Sequence, residues 1–118
     1  MVLVDTSVWI EHLRTGHRGL EVLLMEGHVV CHRLIIGELA CGFIKNRKEI
    51  LSLLSALPIA TEAEHDEVMS FIDRYRLMGK GLGFIDVHLM ASSVLSGTTL
   101  WTLDKILKRE CARLRIVY

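Results

Sequence analysis

The 118-residue sequence contains one proline, three cysteines and few aromatic residues, which make up only 6% of the chain. A single proline, Pro58, excludes a proline-rich linker, and there is no low-complexity segment or internal repeat. Cys31, Cys41 and Cys111 form no C-x-x-C pair, so the sequence indicates neither a disulfide framework nor a zinc site. Free thiols suit a reducing compartment, and we therefore expect a cytoplasmic protein.

A surplus of charge and long apolar runs are also absent. Fourteen basic residues balance fourteen acidic ones, which argues against nonspecific coating of nucleic acid through bulk charge. No run approaches the ~18 to 20 apolar residues that a membrane helix needs, and no secretory signal is apparent at the start. A hydrophobic content of 51% is typical of a globular protein. We expect one domain over residues 1–118 and no membrane segment.

Short apolar runs typical of strands alternate with segments of helical spacing. We predict strands at 2–5, 29–32, 57–60, 99–103 and, as a possible last one, 115–117. We predict helices at 6–14, 20–26, 34–44, 50–56, from a capping box at 61 and 64 to 78, 84–95, and from 104 to 113. This alternation predicts an α/β fold, a three-layer α/β/α sandwich around a central parallel sheet of four to five strands.

Carboxylates follow two of the predicted strands. Asp5 comes directly after the first strand, and Asp104 follows the fourth. Ligands of parallel sheets bind beyond the carboxyl ends of the strands, so both side chains are expected at one edge of the sheet. Each of them is explained equally well as the N-cap of the next helix.

Two further acids lie among apolar residues. Glu38 is three and four residues after Ile35 and Leu34, which predicts a position on the buried face of its helix. Asp86 lies in the first turn of a helix, where the dipole favours negative charge. Four carboxylates close together raise each other's pKa unless a cation lies between them. Oxygen ligands alone suit Mg²⁺ or Mn²⁺.

Four stretches of the chain, taken in order, resemble the PIN-domain ribonucleases and, more narrowly, the VapC-type toxins of prokaryotic toxin–antitoxin systems. They are LVDTSVWIEHL at 3–13, IIGELACG at 35–42, GLGFIDVHLMASSVLSG at 81–97 and LWTLDKIL at 100–107. The resemblance implies a PIN-like sandwich and metal-dependent cleavage of RNA. It implies that Asp5, Glu38, Asp86 and Asp104 form a catalytic cluster that binds Mg²⁺ or Mn²⁺.

The resemblance also implies roles for three hydroxyl groups and for partners. Thr6 or Ser7 would help to place a water or the substrate phosphate, and Thr102 matches a small polar residue frequent before the last acid. Helix capping and strand packing are the ordinary explanations of the same residues. VapC-type proteins are typically homodimers neutralised by a cognate antitoxin, so we expect an RNA substrate, a homodimer and an antitoxin partner.

Two alternatives to a nuclease follow from the same sequence. A response-regulator receiver has a similar length, but it needs an aspartate after the third strand, where the sequence has Ile59-Ala60-Thr61. A catalytically weak or inactive PIN-like module that binds RNA or protein stays open. In the nuclease hypothesis, Arg33, Lys80 and Lys105 contact the RNA backbone; otherwise they are ordinary surface charges.

Overall fold

A small parallel sheet forms the centre of the protein, and the computed structural model describes all 118 residues. Strands β1 (Val2–Val4), β2 (Val29–Val30) and β3 (Thr99–Trp101) lie in the order β2-β1-β3. The middle strand, β1, is buried along its whole length, as expected for a parallel strand covered on both faces. The predicted α/β sandwich with a parallel sheet is confirmed.

The two outer strands of the prediction are much shorter than expected. Ile59 forms a single parallel bridge with Cys31 beyond β2, and Val117 forms one with Leu100 beyond β3. The sheet therefore has three strands, and the other two predicted strands form only a single bridge each. Pro58 limits the first bridge because a proline has no N–H to donate to a ladder.

Seven helices surround this sheet. They are α1 (Thr6–Thr15), α2 (Arg18–Met25), α3 (Arg33–Ala40), α4 (Arg47–Ser55), α5 (His65–Tyr75), α6 (Phe84–Ser96) and α7 (Lys105–Arg113). All seven predicted helices are present, with ends that differ by a few residues. None of them has both the length and the apolar character needed to cross a membrane.

The predicted capping box of α5, Thr61 with Glu64, is wrong by three residues, because the box is formed by Glu64 and Glu67. The N-cap is Glu64, and its backbone N–H donates to Oε1 of Glu67 at 2.9 Å. Thr61 lies three residues before this N-cap, and its backbone N–H donates to Oγ of Ser96 at 2.9 Å. Gly97 ends α6, and as the C-cap it adopts a left-handed φ of 66°.

A buried histidine joins α3 to α6. His32 is the N-cap of α3, and its Nδ1 accepts the backbone N–H of Leu34 at 3.0 Å. Its Nε2 lies 2.9 Å from Oγ of Ser92, which is also fully buried. Since Nδ1 is an acceptor, the neutral ring carries its proton on Nε2 and donates it to the serine. This link fixes α3, and with it Glu38, relative to α6.

Candidate active site

Asp5 is a buried acid held by two hydroxyl groups at the end of β1. Its backbone N–H donates to the carbonyl oxygen of Trp101 at 2.9 Å, which joins it to β3. Its Oδ2 accepts hydrogen bonds from Oγ1 of Thr102 at 2.7 Å and from Oγ of Ser7 at 2.8 Å. The residue is only 7% exposed. Both bonds use the same oxygen, so Oδ1 is free to bind another group.

Ser7 and Thr102 also organise the turn that follows β3. The backbone N–H of Leu103 donates to Oγ of Ser7, and that of Asp104 donates to Oγ1 of Thr102, each at 3.0 Å. The N-cap of α1 is Asp5 itself, and no side chain forms a capping hydrogen bond there. The capping explanation of Thr6 and Ser7 is therefore wrong. The two hydroxyls of Ser7 and Thr102 orient Asp5 and the start of α7 together.

Asp104 and Asp86 each use one carboxylate oxygen in the first turn of a helix. Asp104 is the N-cap of α7, and its Oδ1 accepts the N–H of Leu107 at 2.8 Å. Oδ2 of Asp86 accepts the N–H of Gly83 at 2.9 Å. A carboxylate has a second oxygen with its own lone pairs, so a structural role in the helix leaves room for a ligand.

The carboxylates influence each other electrostatically. Burial raises the pKa of Asp86; the hydrogen bond from Gly83 opposes this, and the charges of Asp5 and Asp104 raise the pKa further. Burial and the charges of Asp5, Asp86 and Glu110 also raise the pKa of the Cys111 thiol to about 12. No lysine or arginine forms an ion pair with any of the four predicted acids. The repulsion of Asp86 by Asp5 and Asp104 is therefore not offset by an ion pair.

Glu38 is exposed, so its predicted position on the buried face of α3 is wrong. Ile35 and Leu39, one turn apart, form the buried stripe of this short helix, and Glu38 lies beside it. Its Oε1 accepts the hydroxyl of Thr6 at 2.8 Å. The structure thus joins Glu38 to the residue that follows Asp5, rather than directly to another acid.

The donor set fits a hard divalent cation in its chemistry. It consists of carboxylate and hydroxyl oxygens, it is negatively charged, and it has no basic counterion. As the side chains are placed, no three Asp, Glu, His or Cys residues stand close enough together to enclose an ion.

Sequence reasoning missed the surface that adjoins Glu38. Glu38 lines a cavity of about 610 Å³ between α1 and the α3–α4 loop, together with Ile10, Leu13, Arg14, Leu39, Gly42, Phe43, Ile44 and Lys45. The signal in the sequence was an aromatic residue within a basic stretch, GFIKNRK at 42–48. Arg33, one of the basic residues predicted to contact RNA, forms a surface ion pair with Glu62 at 3.4 Å.

Comparison with known proteins identifies the family. The PIN domain family matches the chain over residues 2–111. Ribonuclease VapC32 of Mycobacterium tuberculosis, in strains CDC 1551 / Oshkosh and H37Rv, is 49% identical over 113 residues, which cover 95% of this chain and 91% of that protein. PAE2754 from Pyrobaculum aerophilum, a crystal structure, shares the fold with a TM-score of 0.62 and 18% identity, over 97% of this chain and 88% of that one. The chain therefore belongs to the PIN domain family, and within it to the VapC-type proteins.

Proposed function

We propose that the protein is a metal-dependent endoribonuclease and the toxin component of a toxin–antitoxin system. This proposal is supported by the charges of Asp5 and Asp104, which follow β1 and β3 and act electrostatically on Asp86 at the start of α6. The charges of Asp5 and Asp104 raise the pKa of Asp86, and no basic residue pairs with these acids, which is the condition that a cation relieves. A relative named a ribonuclease, 49% identical over 95% of the chain, supports the choice of RNA as substrate.

In this proposal, Asp5, Asp86, Asp104 and Glu38 hold Mg²⁺ or Mn²⁺. A divalent cation bound there would lower the pKa of a water that attacks the phosphodiester and would offset the charge that develops on the phosphate. Ser7 and Thr102 keep Asp5 in one orientation through the two hydrogen bonds to its Oδ2. In-line attack by the water leaves a 5′-phosphate and a 3′-hydroxyl.

Thr6 has a different role from Ser7 in the proposed site. Its hydroxyl donates to Glu38, so it holds the one acid that is exposed and comes from α3. A Thr6→Val substitution keeps the shape of the side chain and removes this bond. We expect it to weaken Mn²⁺ binding less than Asp5→Asn does, because Glu38 stays in place without a fixed orientation.

We also propose a homodimer and a cognate antitoxin as partners, on the basis of the VapC-type membership. Large apolar side chains on the helices are partly exposed, among them Leu53 on α4 and Val94 and Leu95 on α6. Such surfaces support protein contacts. Light scattering of the purified chain tests the homodimer, and copurification with the product of a neighbouring gene tests the antitoxin.

Metal dependence and the identity of the product ends test the reaction. We expect EDTA to abolish cleavage of RNA, and Mg²⁺ or Mn²⁺ to restore it with 5′-phosphate ends that accept ligation. Cleavage that persists in EDTA, or products that end in a 2′,3′-cyclic phosphate, would contradict the mechanism. Metal-independent RNA binding without cleavage would support the alternative, an inactive PIN-like binding module.

A further inference from the structure

The loop between α3 and α4, residues 41–46, is held at both ends. At its start, the N–H of Gly42 donates to the carbonyl oxygen of Leu39 at 3.2 Å. At its far end, Nη2 of Arg47 donates across the loop to the carbonyl oxygen of Ala40 at 2.9 Å. Asn46 takes a left-handed φ of 56° immediately before α4. The backbone of this loop is therefore fixed, although most of its side chains are exposed.

Within this loop, Ile44 and Phe43 have opposite environments. Ile44 packs against the hydrophobic core, whereas the ring of Phe43 is fully exposed. A single exposed apolar residue is ordinary on a protein surface. Phe43 differs because it also lines the cavity of about 610 Å³ that Glu38 borders. This volume lies in the range of roughly 300–1,000 Å³ that is typical of ligand sites.

Two cations flank the same cavity. Arg14 on α1 and Lys45 in the loop both line it, and neither forms an ion pair with an acidic residue. Arg14 also borders a second cavity, which Ser7, Glu11 and Leu103 line, so the surface continues along α1 to the serine that bonds to Asp5. A cation pair with an aromatic ring, beside an acidic centre, is complementary to a nucleotide with its phosphates.

We infer that the groove of Phe43, Arg14 and Lys45 binds an unpaired nucleotide of the RNA substrate beside the acidic centre, with its base stacked on Phe43 and its phosphates on the two cations. This inference rests on the proposed ribonuclease function. An aromatic ring accepts the face of any base, but only a base that has left the duplex exposes that face. The groove therefore selects for unpaired RNA near the cleavage point, and it does so without reading the sequence.

Binding of RNA measured without cleavage tests the groove. The probe is a fluorescein-labelled 12-nucleotide oligouridine, followed by fluorescence anisotropy in EDTA, beside a labelled hairpin duplex. We expect Phe43→Ala to weaken binding of the single strand about tenfold and to leave the weaker binding of the duplex unchanged. Phe43→Trp should restore the single-strand affinity. Met25→Ala is the matched control, because Met25 is also a well-exposed apolar residue but lies on α2.

The dependence on salt separates the phosphate contacts from stacking. Arg14→Ala and Lys45→Ala should each reduce the slope of log K against log salt concentration by about 0.7. Phe43→Ala should reduce affinity without changing that slope. Arg14, Lys45, Phe43 and the control Met25 are all on the surface. Melting temperatures close to that of the wild type will show that the variants are folded.

The outcomes distinguish this inference from the proposed function. If the wild type cleaves RNA in a metal-dependent way but Phe43→Ala binds oligouridine as the wild type does, only the groove is wrong. Wild-type binding that is undetectable in EDTA also overturns the groove, because Phe43, Arg14 and Lys45 need no metal. If Phe43→Ala keeps its RNA affinity and instead loses self-association, the groove is a protein interface and the inference is wrong. A wild type that neither binds nor cleaves RNA refutes the proposed function itself.

Discussion

Glu110 on α7 is the buried carboxylate that holds the segment leading to α6 and Asp86. Its Oε1 accepts Nε of Arg113 at 2.9 Å, and its Oε2 accepts Nε of Arg109 at 3.1 Å. Each guanidinium also donates through Nη2 to a backbone carbonyl oxygen. Arg113 donates to Tyr75 at 2.8 Å, and Arg109 donates to Lys80 at 3.4 Å. One carboxylate therefore orients two arginines, which together fix the end of α5 and the loop before α6.

The structure allows the cost of removing this charge to be worked out. Burial acts to raise the pKa of Glu110, but the hydrogen bonds and charges of Arg113 and Arg109 outweigh it and lower the pKa. Glu110→Gln weakens two charge-assisted hydrogen bonds, which contribute about 1.5–3 kcal/mol each. The arginine side chains are 63% and 45% exposed and can turn toward water, which reduces the loss. We expect a loss of about 2–3 kcal/mol in the free energy of unfolding, or about 8–12 °C in Tm.

Urea unfolding of a small set of variants measures this loss. Glu62→Gln is the control, because Glu62 pairs with Arg33 at 3.4 Å on the surface and should contribute less than about 1 kcal/mol. The double substitution Arg109→Ala with Arg113→Ala should cost more, about 3–5 kcal/mol, because it leaves the buried carboxylate unpaired. A Glu110→Gln loss no larger than that of Glu62→Gln would refute the reasoning.

The difference in free energy of unfolding between wild type and Glu110→Gln should also depend on pH. The pKa of Glu110 is lower in the folded protein than in the unfolded chain. Its stabilisation is therefore complete above the unfolded pKa of about 4.3 and is lost as the pH falls through the folded value. The gap between wild type and Glu110→Gln should be constant above about pH 5 and should close in acid.

Two further substitutions test groups near the site. The pKa of Asp86 is raised in the folded state, so its ionisation opposes folding at neutral pH. Without metal, the Asp86→Asn variant should be at least as stable as the wild type at pH 7 and equally stable at low pH. The variant should lose most of the Mg²⁺-induced rise in Tm. A loss of ~1 kcal/mol in stability with that rise intact would identify Asp86 as a helix cap only. Burial lowers the pKa of His32, while the charge of Glu62 opposes this. The free energy of unfolding of the wild type, measured in urea, should therefore fall as the pH drops below about 6.5. His32→Phe should be less stable than the wild type at pH 8 by about 2 kcal/mol, and its stability should not fall in this way. The same dependence on pH in both proteins would contradict the role of His32.

The positions of Asp5 and Asp104 could be anticipated from the sequence because they depend on local pattern and one rule of topology. Apolar runs ended at both residues, and parallel strands bring their carboxyl ends to one edge of the sheet. The structure adds that β1 and β3 are neighbours, so that Trp101 and Thr102 both bond to Asp5. Whether these acids bind a cation stays a prediction.

The exposure of Glu38 and the place of Phe43 could not be read from periodicity. The sequence pattern favoured one helix over 34–44, whereas α3 ends at Ala40 and a fixed loop follows. Which side of an eight-residue helix is buried depends on the surfaces packed against it, here through Ile35 and Leu39. An apolar residue such as Phe43 looks like core in any local window, and only tertiary packing leaves it outside.

Glu110 was missed for a similar reason. In the sequence it lies in the charged stretch KILKRECAR of α7, which resembles a solvated helix face. Its burial depends on α5 and the following loop, whose backbone carbonyls receive the two arginines. These partners are about 30 residues or more away along the chain. Buried charges of this kind are found from contacts and not from spacing.

The most direct test of the metal-dependent ribonuclease is a comparison of wild type, Asp5→Asn and Asp66→Asn in one RNA cleavage assay with Mg²⁺. Asn keeps the size of Asp5 and an acceptor for Thr102 but removes the charge, and Asp66 is an exposed acid on α5 that serves as the control. We expect wild type and Asp66→Asn to cleave equally, and Asp5→Asn to be slower by about 100-fold or more. Equal cleavage by wild type and Asp5→Asn would contradict the proposed carboxylate site.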